Sequence, residues 1–100
     1  MSPLKEEALW AVTQLESIGH MTEADTAVLF HSWNQHKRYL DHLQSAFGQA
    51  HALHAVAIKT QPHPAILTQV VQWGFGLEAA SMEEVHLAIH AGCPPERIVF

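Results

Sequence analysis

Lys59, the histidines and Cys93 are the side chains placed where they could do chemistry. Lys59 closes the apolar run Ala55-Val56-Ala57-Ile58. An amine set in partly apolar surroundings loses some hydration, which lowers its pKa toward the neutral, nucleophilic form. The competing reading is a lysine whose stem lies on apolar surface while its ammonium reaches water; on pattern alone that reading is favoured. His86 and His90 stand four residues apart, a helical spacing that can present two imidazoles to one metal ion. His51, His54 and His63 would be further candidate ligands. No cysteine or carboxylate cluster completes such a set, and no glutamate lies between His86 and His90, so both read as solvated helix residues and no metal site is expected. Cys93 sits between a helix stop and the Pro94-Pro95 turn and reads as packing rather than as a nucleophile. Gly74 and Gly76 have the wrong spacing for a dinucleotide-binding loop.

These groups need elements to hold them. Leu4, Ala8, Ala11, Val12, Leu15 and Ile18 recur at a helical period, which predicts a helix over 4–18 closed by Gly19. A polar connector, His20 to Thr26, follows. Ala27-Val28-Leu29-Phe30 is a continuous apolar run and reads as a strand covered on both faces. Ser32 and Gln35 form a capping-box pattern that opens a helix with Tyr39, Leu40, Leu43, Ala46 and Phe47 on its apolar face, ending at Gly48. The next strand is expected over 52–58, ending at Lys59. Pro64 then suits the first turn of a helix built on Ile66, Leu67, Val70 and Val71 and stopped at Gly74. Leu77-Glu78-Ala79-Ala80 is a third strand. Ser81 with Glu84 is a second capping box, and Val85, Ala88 and Ile89 face inward until Gly92. Arg97-Ile98-Val99-Phe100 reads as a fourth strand.

The order α-βα-βα-βα-β means a parallel α/β sheet with right-handed crossovers. Its closure could be a flat doubly wound sheet or part of a barrel. A complete eight-stranded barrel takes about 250 residues, so a 100-residue chain with an uncovered last strand reads as roughly its first half. Apolar residues are 48% and charged residues 15%, which argues against disorder. No apolar run approaches the roughly 20 residues of a membrane helix, and the first residues lack a secretory pattern. The net charge of −5 offers no basic stripe for nucleic acid. One cysteine fits a reducing compartment, so the expected location is cytoplasmic.

From Ala55 onward the residues resemble the pyridoxal-phosphate-dependent decarboxylases of the alanine-racemase fold, the group of diaminopimelate and ornithine decarboxylases. Val56-Ala57-Ile58-Lys59-Thr60-Gln61 stands where that family has Tyr-Ala-Val-Lys-Ala-Asn. Gly74-Phe75-Gly76-Leu77-Glu78-Ala79-Ala80-Ser81, then Glu84, then Ala91-Gly92-Cys93-Pro94-Pro95-Glu96-Arg97-Ile98 follow the family's next strand and helix. Val56, Thr60-Gln61 and Glu78 depart from the family's usual tyrosine, Ala-Asn and aspartate. The resemblance implies an α/β fold that is the first part, about half, of a pyridoxal-phosphate-binding (β/α)8 barrel, preceded by an N-terminal helix. Residues 1–26 would be helix and connector, and residues 27–100 the incomplete barrel. Pyridoxal 5'-phosphate would be the cofactor, with Lys59 the catalytic residue and Schiff-base lysine. Ala57 would leave room for the cofactor ring, and Glu78 would lie close to both. The substrate would be an amino acid and the intact parent a dimer, while the isolated piece would be inactive and self-associating. Two readings compete with this one: a self-contained α/β interaction or histidine-based metal-binding module without catalysis, and an amino-acid racemase of the same fold.

Overall fold

The computed structural model describes residues 2–100. They fall into two compact units, one ending at Ala46 and the other running Phe47–Phe100.

The first unit holds two helices, α1 (Pro3–Ser17) and α2 (Trp33–Phe47); α2 runs one residue into the second unit. Ser2 caps α1 by accepting from the Lys5 N–H at 3.3 Å, with Pro3 in the first turn, where its missing N–H is no loss. Ser32 does the same for α2, accepting from the Gln35 N–H at 3.2 Å. Of this unit's described side chains, Leu40 alone is buried.

The strand expected over 27–30 does not form. Those residues are irregular and exposed, Leu29 almost completely. No neighbouring strand pairs with them, and apolar β-formers without a ladder leave their backbone groups to water.

The second unit carries the sheet and its core. Strands β1 (Ala55–Ala57), β2 (Gly76–Glu78) and β3 (Ile98–Val99) lie in the order β1-β2-β3, all parallel. Helix α3 (Pro64–Gln72) joins the first pair and α4 (Met82–His90) the second. The two helices touch each other and α3 packs on β2. Helices on opposite faces of a sheet could not meet, so both cover one face, as in a singly wound sheet. Alternation puts Leu77 and Glu78 on opposite faces. Leu77 is fully buried and Glu78 half-buried, so Leu77 faces the helices. Around it the core is Ile58, Ile66, Leu67, Val70, Val71, Phe75, Ala79, Ala88 and Cys93.

Both helices end in the same way. The N–H of Gly74 donates to Val71 and that of Phe75 to Val70, while Gly92 donates to Ile89 and Cys93 to Ala88. This is the Schellman pattern, which needs a left-handed residue, and Gly74 (φ 93°) and Gly92 (φ 83°) supply it. Phe75 and Cys93 therefore occupy equivalent positions after the glycine, and both are buried. Arg97 adds a tertiary tie, donating from its guanidinium to the Val71 carbonyl at 3.4 Å near the end of α3.

The strands are shorter than the apolar runs that signal them. After Ala57 the chain leaves the ladder in a 3-10 turn, Ile58–Thr60. There the Thr60 hydroxyl donates to the Ala57 carbonyl at 2.7 Å and the Gln61 N–H to Ile58 at 3.0 Å. Local donors thus take acceptors that a longer strand would offer its neighbour.

Gly76, at the start of β2, has no room for a side chain. A Cβ there would come 2.4 Å from the Arg97 carbonyl oxygen and 3.1 Å from Leu53 Cδ1. Gly76→Ala is expected to destabilise the second unit by about 1–3 kcal/mol, the cost of forcing an extra carbon into packed structure. Urea unfolding followed by circular dichroism measures it.

Candidate functional site

The carboxyl edge of a parallel sheet is where α/β folds place their reacting groups. Here that edge is formed by Ala57, Glu78 and Val99. The register pairs Ala57 with Glu78 and Glu78 with Val99, so the three form one cross-strand row on one face of the sheet. Ala57 and Glu78 are half-buried and Val99 is exposed. Ala57 contributes only a methyl group to the row, which leaves space above it. The Glu78 carboxylate makes no hydrogen bond or ion pair among the described residues, so no backbone donor holds it.

Lys59 lies two residues beyond Ala57, inside the 3-10 turn. The sequence allows two settings, an amine partly withdrawn from water and one that reaches it, and pattern alone favours the second; Lys59 is exposed. The turn bends the chain off the strand line immediately before it, and Ile58 takes the buried position instead. The Lys59 ammonium has no hydrogen-bond or ion-pair partner among the described residues and is open to an incoming group. The register brings Lys59's strand end and Glu78 to the same edge.

Ser81 and Glu84 are engaged as caps at the start of α4. The Glu84 N–H donates to the Ser81 hydroxyl at 3.2 Å, and the Glu84 carboxylate accepts from the Ala80 N–H at 2.8 Å. His63, a candidate metal ligand by type, is also a cap: its Nδ1 accepts from the Ala65 N–H at 3.2 Å at the start of α3. Its position directly before Pro64 was the available signal. His54 is half-buried with its ring edge-on to Phe47, centroids 4.8 Å apart, while His51 is exposed. His86 and His90 are both exposed on α4. Among the described residues no three His, Cys, Asp or Glu side chains gather as a metal-holding group.

An amine open to an aldehyde at a strand end, a small neighbour and a nearby carboxylate fit the aldehyde end of a pyridoxal cofactor. The comparisons with known proteins agree. Residues 33–100 match the family described as pyridoxal-dependent decarboxylase, pyridoxal binding domain. The chain belongs to that family, and its cofactor is pyridoxal phosphate. A diaminopimelate decarboxylase of Zymomonas mobilis is 42% identical over 64 residues, which is 64% of this chain and 15% of that enzyme. The chain thus spans a small part of the curated relative it matches. No solved structure matches it. No helix among the described residues is long and apolar enough to cross a membrane.

Two other titratable groups are displaced from their ordinary behaviour. Burial pushes the Cys93 thiol up, against smaller opposing effects of the Leu77 backbone and the Arg97 charge. A buried thiol held in its neutral form is a poor nucleophile. Cys93 is therefore expected to resist a disulfide reagent such as dithionitrobenzoate in the folded chain and to react fully in denaturant. Burial, and secondarily the neighbouring His31, hold His36 below the usual 6.5. As pH falls through that value the unfolded chain takes up the proton first, so stability contributed at His36 is complete above pH 6.5 and declines below it. Proton titration by NMR should place the His36 midpoint below 6.5, and His31→Ala should move it partway back.

Proposed function

We propose that this chain is the cofactor-attaching portion of an amino-acid decarboxylase of the diaminopimelate and ornithine type, with Lys59 as the residue that binds the pyridoxal aldehyde covalently. The observation that carries the reading is the exposed, unpaired Lys59 amine immediately after β1, within the stretch belonging to the pyridoxal-binding family. In this reading Ala57 leaves space for the cofactor ring. Glu78 sets a carboxylate at the same sheet edge, where it could accept a hydrogen bond from the bound group. When not bound to the cofactor, Lys59 Nζ would be free to carry a proton to or from the reacting carbon. Pyridoxal phosphate, when bound, supplies an electron sink for the charge left as carbon dioxide departs.

Residues 27–100 would contribute the first strands and helices of a (β/α)8 barrel, with residues 1–26 outside it. The singly wound order and the shared helix face support that closure over a doubly wound one. Among the described residues none is proposed to hold the cofactor phosphate or ring nitrogen, and the chain spans 15% of the decarboxylase it resembles, so it is proposed to lack decarboxylase activity by itself. A cytoplasmic dimer completes the reading of the intact enzyme.

Borohydride reduction in the presence of pyridoxal phosphate, followed by peptide mapping, tests the assignment. The chain has three lysines, and Lys5 and Lys37 are the internal controls. Lys37 is already paired with Asp41 and Lys5 is exposed. Preferential labelling of Lys59, lost in Lys59→Gln, is the expected result. Labelling of all three in proportion to their exposure would overturn it. Because Lys59 is exposed, Lys59→Gln should leave stability within about 0.5 kcal/mol of the parent chain.

A further inference from the structure

We propose that His31 and His36 form a two-histidine site for a divalent transition-metal cation, zinc fitting best, with water completing its coordination shell. Nε2 of His31 and Nδ1 of His36 are 3.3 Å apart. Two nitrogens at that separation, each about 2.0–2.1 Å from a zinc ion, subtend roughly 105–110° at it, the tetrahedral angle zinc prefers. The ring centroids are 5.0 Å apart with planes 86° to one another. That is close to the ~5 Å expected when both lone pairs aim at one shared ion at zinc–imidazole bond lengths. Without metal, one ring N–H donates to the other ring's nitrogen across this gap; a bound ion would take the place of that shared proton.

The arrangement is built by the helix start. Ser32 is the N-cap of α2, so His31 directly precedes the cap and His36 is the fourth residue of the helix. Those two positions meet across a capped helix entry, where an apolar pair usually forms a hydrophobic staple. Here the staple is two imidazoles. The Trp33 ring stands edge-on to His31 at 4.7 Å and 79° and limits its rotation. The Ser32 hydroxyl donates to the Glu7 carboxylate at 2.6 Å, which sets a negative charge beside the pair. Both histidines are half-buried, so an ion and its waters can reach them. A neutral imidazole has one proton; with metal bound, it resides on the outward nitrogens, Nδ1 of His31 and Nε2 of His36. With no third protein ligand among the described residues, the affinity is set by a two-point chelate.

The test must silence His86 and His90, whose exposed four-residue spacing can also hold a metal. Zinc chloride is titrated into the whole chain carrying H86A and H90A, with heat and the histidine ring resonances recorded together. One ion per chain is expected, with the His31 and His36 rings shifting first. Affinity should fall at least tenfold on either His31→Ala or His36→Ala, and the double variant should be little worse than each single one. Circular dichroism checks that α2 survives; if an alanine variant loses helix, His31→Gln and His36→Gln replace it. Equal affinity in the folded variants, or shifts spread evenly over His20, His42 and His51, would overturn the proposal.

Discussion

Lateral pairing of β1 with β2 is the constraint on which the candidate site depends. Ala57 opposite Glu78 brings the strand that leads into Lys59 level with the carboxylate that follows the next one. A slip of one residue would exchange faces, turning Leu77 out of the core and Glu78 into it. Burying a carboxylate in that apolar core without a partner would cost several kcal/mol. Hydrophobic burial of one residue therefore fixes the polar geometry of its neighbour. The close pass of Gly76 under the Arg97 carbonyl locks the same register from the β3 side.

The second unit is also a repeat at the level of physical devices. Each helix opens on a side-chain cap, His63 in α3 and Ser81 in α4, and each closes on a Schellman glycine followed by a buried residue. That device delivers the chain from the helix end back toward the sheet. It also buries the lone cysteine: Cys93 occupies the place after its helix that Phe75 holds after α3. Helix ends, rather than strand length, supply most of the definition here, since the strands are only two or three residues long.

Much of this was legible beforehand. The helix starts were, because Ser32 and Ser81 act through bonds within four residues of themselves and Pro64 through its fixed φ and missing N–H. The family relationship was too, because it rests on side chains in a set order from Val56 to Ile98. Strand existence was legible only where a neighbour was available. Val56 and Leu77 found parallel partners, whereas Val28 and Leu29, equally apolar, found none. Strand ends were not legible either, since Thr60 and Gln61 compete for carbonyls in ways an apolar run does not reveal.

The sequence by itself determined the helices and their caps, the identity of the candidate amine and the family, all set by residue type and short-range spacing. Only the tertiary structure decided that Lys59 is exposed rather than withdrawn from water, that Glu78 lies level with Ala57, and that His31 and His36 converge. Each of these turns on where a side chain points once the chain has bent, and that depends on a turn, a ladder or a cap closing between groups already named in the sequence.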